Sequence, residues 1–358
     1  RRDYGRRSEL CIEGEGRKGI AMGPLLTIAI PTWNRAEYLK RSLIQLHSEI
    51  GQVPPGTVEV IVSDNCSTDF TREVVSDAVA SGLDITYLRN DRNLGWALNF
   101  IQCFERASGR YVLLMGDDDL VVEGCLPLLI NRLEADTYGV VCVKPYGFDE
   151  DFKREHPGGS GTELVFKDPH RFLLAVNGFF TLTSACVINK SLLSNVNSAE
   201  FAETDLAVFH LVLKAALASD RNLLINRYLV ASKRQNSHSY EYTDVFIDQF
   251  WQIIDAHIPS GLSVKTVQAL ERIRMLTYYP FYLLDMRLSG RGDLGLAQRA
   301  FENRFKGRWL FRFWLLPTLR LPRLPALVWG GGTTAIGRII RGDLRRGLKF
   351  AWNRVVNI

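Results

Sequence analysis

The chain has 358 residues, 46% of them hydrophobic and 23% charged, a globular composition with room for one large domain or two smaller ones. Its net charge of +5 is unevenly spread: residues 301–358 hold 12 Lys and Arg against Glu302 and Asp343, while the remainder is mildly acidic, so the tail is suited to an anionic surface. No apolar run reaches the ~18 residues of a membrane span, no secretory signal is read at the start, and the six cysteines show neither a CxxC pair nor a zinc-ligand spacing, which fits core positions in a reducing compartment.

Residues 1–21 are polar, rich in Gly and Arg and without periodicity. We expect residues 1–23 to form a disordered extension, with Met22 as the natural start. Leu25–Pro31 is apolar and β-branched and reads as a strand that Pro31 stops. Helical spacing of apolar residues over Arg35–Ile50 predicts a helix with Asn34 as its N-cap. A strand at Val58–Val62, a helix capped by Ser67 or Thr68 and reaching Ala80, a strand at Ile85–Leu88 and a helix over Leu94–Ala107 follow. Tyr111–Met115 reads as a fourth buried strand, and Gly116 separates it from Asp117, Asp118 and Asp119. Next come a helix around Val121–Leu133 and a strand at Val140–Val143. The polar, Gly-rich stretch Gly147–Gly161 is expected to be a mobile loop. A strand at Thr181–Ile188, a helix at Leu206–Leu217, a strand-like run at Leu223–Val230 and helices over Val245–Ile258 and Val264–Leu288 complete the pattern.

Strands buried on both faces and separated by single helices imply right-handed crossovers and an α/β fold with a mainly parallel sheet. Ligands then bind beyond the carboxyl ends of the strands. Polar clusters fall there four times: Thr32-Trp33-Asn34-Arg35, Asp64-Asn65, Arg89-Asn90 and the aspartate run.

Three carboxylates crowded at a strand exit repel one another and lose hydration, and a hard divalent cation would compensate both. The alternative is a solvated acidic turn, or an aspartate capping the next helix. Asp64 ends a strand and could accept a hydrogen bond from a pyrimidine N3–H, or form an Asx-turn into the following helix. Asp205 opens a helix, where it could favour the helix dipole or act as a general base, with Glu203 in reserve. His238, in a polar segment after the strand-like run, is either a ligand for metal or diphosphate, helped by Arg234, or an exposed loop histidine. The sequence contains no GxGxxG after its first strand, no GxxxxGK[ST] and no GxSxG, which argues against dinucleotide, Walker and α/β-hydrolase chemistry.

The segments Ile28-Ala-Ile-Pro-Thr-Trp-Asn-Arg35, Val60-Ile-Val-Ser-Asp-Asn-Cys-Ser-Thr-Asp69, Arg89-Asn-Asp-Arg-Asn-Leu-Gly95 and Gly109-Arg-Tyr-Val-Leu-Leu-Met-Gly-Asp-Asp-Asp119 resemble, in order and spacing, the family-2 glycosyltransferases of GT-A fold. The likeness extends from about Leu25 to Asp244, and the Gly-Asp-Asp-Asp spelling is similar to bacterial O-antigen enzymes of the abequosyltransferase kind. It implies a nucleotide pocket lined by Pro31, Thr32 and Trp33 (the family usually has Tyr at this last position), with Asp64 on the base and Arg35, Arg89, Asn93, Asp117 and Arg234 around the donor. It implies Mg²⁺ or Mn²⁺ held by Asp117–Asp119, with Asp118 the essential ligand and His238 nearby, although the family spells this motif Asp-x-Asp. Asp205 would be the catalytic base, here preceded by Thr204 in place of the family's Glu, and a single displacement would invert the anomeric centre.

The implied organisation is a glycosyltransferase domain over residues 24–240 and a helical region over 241–358 ending in a basic, aromatic tail. Phe305–Ile358 mixes Trp309, Phe311, Phe313, Trp314, Trp329 and Trp352 with Arg and Lys, a composition suited to the headgroup zone of an anionic bilayer. We therefore expect a cytoplasmic enzyme attached to the inner face of the membrane, near a glycan or lipid-linked glycan acceptor and without nucleic acid. Packing of the basic face on the catalytic domain, or a nucleic-acid contact, are the other readings of the tail. The rival functions are a nucleotidyltransferase of sugar phosphates and a non-catalytic nucleotide-sugar-binding module.

Overall fold

The computed structural model describes residues 23–159, 161–193, 197, 201, 203–234, 241–290 and 292–340. Met22, Cys11, His238, Trp352 and the rest of the N-terminal and tail segments lie outside the described residues.

Strands and helices alternate through the first part of the chain. β1 (Leu26–Thr32) is buried at every position and leads into α1 (Ala36–Ile50), which buries Leu39, Leu43 and Leu46 on one face. Then follow β2 (Val58–Asp64), α2 (Thr71–Ala80), β3 (Thr86–Arg89), α3 (Trp96–Arg106) and β4 (Tyr111–Leu114). β1 pairs in parallel with β2 and β4, and β2 with β3, giving the order β3-β2-β1-β4. All four carboxyl ends therefore open on one rim.

Beyond β4 the sheet becomes mixed. The next elements are β5 (Leu120–Val121), α4 (Cys125–Ala135), β6 (Val140–Phe148), β7 (Glu163–Phe166), α5 (Pro169–Val176), β8 (Cys186–Asn189), α6 (Ala207–Leu217) and β9 (Asn222–Lys233). β8 runs antiparallel between β4 and β6, β6 lies parallel to β9, and β5 and β7 pair antiparallel with β9. The chain continues as a π-helical turn, Asp244–Gln249, then α7 (Phe250–Ala256), α8 (Val264–Thr277), α9 (Tyr279–Ser289) and α10 (Leu294–Phe305). A second π-helical turn, Phe311–Leu315, precedes α11 (Leu316–Arg320) and α12 (Arg323–Ile340).

These helices share one core with the sheet. The Phe209 ring stacks between Phe180 and Phe250, at 4.8 and 5.2 Å between centroids. Trp251, Tyr279, Phe301, Phe305 and Phe311 continue the buried cluster. Phe311 thus belongs to the core and not to the surface aromatics with which its composition grouped it. Cys103, Cys125, Cys142 and Cys186 are buried, as expected of core cysteines, while Cys66 is half-buried.

Several local expectations are corrected. Pro31 does not stop β1, which runs on to Thr32. Ala29 faces β4, where its carbonyl accepts from Met115 N–H, and Pro31 faces the same way just after that ladder ends, so its missing N–H costs no bond. Asn34 does not cap α1: its φ is +53°, its N–H donates to Ser67 Oγ at 2.9 Å and its Oδ1 accepts from Thr68 N–H at 2.7 Å. Asp69 replaces both Asn34 and the Ser67/Thr68 pair as the cap. Its Oδ2 accepts from Ala36 N–H at 2.9 Å and its Oδ1 from Thr71 N–H at 3.2 Å, so one carboxylate serves the starts of α1 and α2. Burial works against that carboxylate, and its hydrogen bonds outweigh burial and hold it below the usual range. The helix expected from Val121 begins at Cys125, because Leu120 and Val121 pair with β9. The helix expected over Val264–Leu288 breaks at Tyr278 into α8 and α9, where Pro280 sits in the first turn of α9.

Candidate active site

At the rim, Asp64 ends β2 and is buried. Its Oδ1 accepts from Ser67 N–H at 2.7 Å, which fills the Asx-turn role. Its Oδ2 accepts from Tyr87 O–H at 2.6 Å and from Arg89 Nε at 3.2 Å. Burial and the Asp64 carboxylate push the Tyr87 phenol far up, so it stays a donor. Arg89 pairs in register with Asp64 across the β2–β3 ladder, which explains an ion pair between residues distant in sequence. Asn65 Nδ2 donates to Asn93 Oδ1 at 2.8 Å and to the Gly95 carbonyl at 3.2 Å, tying the loop before α3 to the same rim.

Thr32, opposite Asp64 on β1, links the two acidic groups: its Oγ1 donates to Asp117 Oδ2 at 2.8 Å. Arg35 lies over the aspartates, with Nη2 2.7 Å from Asp118 Oδ2 and Nε 3.3 Å from Asp117 Oδ1. Burial opposes the Arg35 charge, and Asp117 and Asp118 outweigh it, so the guanidinium is held above its usual range. Burial pushes the Asp117 carboxyl up to about 7, against the pull of Arg35. Asp119 is turned into the protein, where it accepts from Ser184 Oγ, Ser232 and the Lys233 backbone. Burial first, and the neighbouring Asp118 charge second, raise it to about 7. Asp118 also lines a small cleft with Tyr38, Arg41, Leu120, Phe148 and Lys233.

Asp205 lies two residues before the start of α6, next to its N-cap Leu206. Trp96 Nε1, in the first residue of α3, donates to Asp205 Oδ1 at 3.0 Å. Gln249, the last residue of the first π-helical turn, accepts from Asp205 N–H at 2.7 Å and donates to Asp205 Oδ2 at 3.1 Å and to Asp244 Oδ2 at 2.8 Å. A continuous set of contacts therefore runs from Asp205 through Trp96, Gly95 and Asn65 to Asp64, Thr32 and Asp117.

Residues 27–196 match the family described as Glycosyl transferase family 2. That segment, just under half of the chain, is thus similar to family 2 glycosyltransferases. Abequosyltransferase RfbV of Salmonella typhimurium is 30% identical over 179 residues, 46% of this chain and 53% of that protein. A GalNAc(5)-diNAcBac-PP-undecaprenol β-1,3-glucosyltransferase of Campylobacter jejuni is 28% identical over 179 residues, 48% of this chain and 54% of that protein. The chain spans about half the length of these curated relatives. The crystal structure of S. aureus TarS 1–349 in complex with UDP-GlcNAc superposes with a TM-score of 0.60 at 15% identity, covering 89% of this chain and 92% of that one. The fold is thus of GT-A type, with a helical C-terminal region.

Among the described residues, no group of three or more His, Cys, Asp and Glu side chains is arranged to hold a metal by itself. Asp117 Oδ1 and Asp118 Oδ2 nevertheless face one common positive charge, that of Arg35, whose Nε is buried and makes no hydrogen bond. Two hard oxygen donors fit a Mg²⁺ or Mn²⁺ that takes its remaining ligands from water and a diphosphate. Asp119 is already occupied by Ser184 and the end of β9. Arg234 is exposed and pairs with Asp149 Oδ2 at 2.7 Å and Glu155 Oε2 at 3.4 Å, beside the rim loops and not on the aspartates. Trp33 is half exposed and Pro31 buried at the end of β1, while Glu203 is exposed. Sequence reasoning missed Trp96, Gln249, Tyr87 and Ser184. Trp96 opens α3 directly after Gly95, and nothing in its local sequence shows that its indole reaches Asp205.

Proposed function

We propose that this chain transfers a sugar from a nucleotide-diphosphate sugar to a hydroxyl of a glycan, carried on a lipid in surface-polysaccharide assembly, with inversion at the anomeric carbon. The observation carrying this reading is the unbroken contact path that joins Asp64, Asp117 and Asp205 at the carboxyl rim of a family 2 fold. Pro31, Thr32 and Trp33 line the nucleotide, with Asp64 and Arg89 at the base and Asn93 ordering the loop beside it. Asp117 and Asp118 would hold the divalent cation, which, when bound, neutralises the charge left on the diphosphate as the sugar departs. Arg35 holds that pair of carboxylates together, and Arg234 is assigned to the diphosphate side. Asp205 takes the proton from the acceptor hydroxyl as its oxygen attacks, with Trp96 and Gln249 fixing the carboxylate in place. Residues 24–240 carry the reacting groups, with Gln249 supporting the base from the following helical region, and residues 241–358 attach the enzyme to the cytoplasmic face of the membrane through the basic, aromatic tail.

The test is a panel of UDP-, GDP-, CDP- and dTDP-sugars with Mn²⁺, read as released nucleotide and as heat of binding. Turnover with one nucleotide class is expected, and Asp205→Asn lowers kcat by about 10²-fold or more. The absence of both heat and nucleotide release with every donor rejects the reading, and near-normal turnover in folded Asp205→Asn reassigns the base.

A further inference from the structure

Helix α12 is built inside out. The residues it buries are small or hydroxylated: Ala326, Gly330, Thr333, Thr334 and Gly337. A Cβ on Gly337 would meet the Leu276 carbonyl oxygen at 2.5 Å, and one on Gly330 would meet Thr318 Cγ2 at 3.1 Å, so this face is small because neighbouring chain lies against it. The large apolar side chains point the other way. Leu324 and Val328 are 75% and 79% exposed, and Trp329, Ile336, Ile339 and Ile340 continue the outward stripe at helical spacing. Trp309 and Phe313, one turn apart, are 72% and 70% exposed. Trp329 Nε1 donates to the Trp314 carbonyl at 3.1 Å, which joins this second ridge to α12.

A water-facing helix hides its large apolar groups, so this arrangement implies an apolar medium on the outer side. Charge identifies the medium. No acidic residue occurs in α12, and Lys306, Arg312 and Arg323 are exposed and, among the described residues, in no ion pair. Residues 341–358 add Arg341, Arg345, Arg346, Lys349 and Arg354 against Asp343 alone. Among the described residues no helix is long and apolar enough to cross a membrane. Apolar side chains with aromatic and cationic neighbours and no span are the make-up of a surface lying in the headgroup layer of an anionic bilayer.

We propose that the outward face of α12, together with the Trp309–Phe313 ridge, is the surface that inserts into an anionic lipid bilayer. This deepens the attachment proposed above by assigning it to named side chains, and it does not depend on the transfer chemistry. It also places the contact on folded helices, whereas the sequence assigned it to the tail as a whole.

The test uses the full chain with vesicles of phosphatidylglycerol and phosphatidylcholine, compared with phosphatidylcholine alone, by flotation and by sedimentation binding. The wild type is expected to float with the anionic vesicles and to lose affinity as salt rises. Trp309→Ala/Phe313→Ala and, separately, Leu324→Ser/Val328→Ser each lower the partition coefficient at least tenfold, with circular dichroism and donor binding unchanged. No flotation of the wild type overturns the proposal, as does equal flotation of both folded double variants. A wild type that dimerises without floating, with monomeric variants, assigns the face to a second copy and overturns it too. A wild type that floats but binds no donor would instead count against the transferase reading and leave this one standing.

Discussion

Replacing Trp96 by Phe removes one hydrogen-bond donor from the proposed base and leaves the ring. The indole N–H lies 3.0 Å from Asp205 Oδ1, and the same ring meets Phe100 edge-on at 5.6 Å, a contact that Phe retains. A hydrogen bond to a charged group contributes about 1.5–3 kcal/mol. Trp96 is 40% exposed, so the lower end applies, and kcat should fall about tenfold. KM for the donor should stay within a factor of about two, because Trp96 acts through Asp205 and not through the nucleotide. Released nucleotide under saturating donor gives both constants. A double-mutant cycle sharpens the measurement: in an Asp205→Asn background the Trp96 substitution should cost less than about threefold, since the carboxylate it holds is gone. Wild-type kcat in Trp96→Phe, or full multiplicative losses in the double variant, would refute the coupling of this indole to the base.

Asp118→Ala should lower kcat by about 10²-fold or more and should abolish the rise in Tm that Mn²⁺ with a nucleoside diphosphate gives the wild type; an unchanged Mn²⁺ response moves the cation elsewhere. Glu49, fully buried in the last turn of α1, accepts from Gly124 N–H at 3.0 Å and Leu126 N–H at 3.1 Å at the start of α4. Glu49→Ala leaves both donors without that acceptor and should destabilise by about 3–5 kcal/mol, seen as a Tm lower by about 5–10 °C in a thermal scan, with Glu49→Gln losing less. His210 Nδ1 and His257 Nε2 lie 3.1 Å apart, and burial, with the other histidine and Lys214 adding to it for His210 and Lys214 for His257, pushes each down to about 4. The unfolded chain takes up these protons near the usual value of about 6.5, so the stability from neutral burial is complete above that pH and drains away as the pH falls toward 4. Urea titrations between pH 7.5 and 4.5 should show this slope, and His210→Phe, which keeps the stack on Phe201, should flatten it.

The first half of the molecule was legible because its central strands, β1 and β4, are buried on both faces. Leu25–Pro31 and Tyr111–Met115 read as mainly apolar runs, and in a parallel sheet a polar cluster after such a run can only sit on one rim. Thr32, Asp64, Arg89 and Asp117 were placed together for that reason. What escaped was whatever depends on two distant segments meeting side by side. Nothing local says that Gln249 reaches back to Asp205, or that Ser184 fills Asp119, because both follow from how α6, β8 and the π-helical turn pack. The antiparallel insertion of β8 between β4 and β6 was hidden likewise: a short apolar strand has the same pattern in either direction. Asn34 misled because it has the chemistry of a cap, yet Asp69 reaches the same N–H groups from the far side of the rim.

The stacked rings of Phe180, Phe209 and Phe250, extended by Trp251, Phe301, Phe305 and Phe311, bear on how this protein can be handled. Cutting the chain near Glu302 to obtain a handier fragment would strip Phe305, Phe311 and Leu315 out of the interior and leave Trp251 and Tyr279 facing solvent. An insoluble fragment would then say nothing about bilayers. Testing the proposed membrane contact therefore calls for exchanging side chains on the outside of these helices, with the backbone that carries them left uncut.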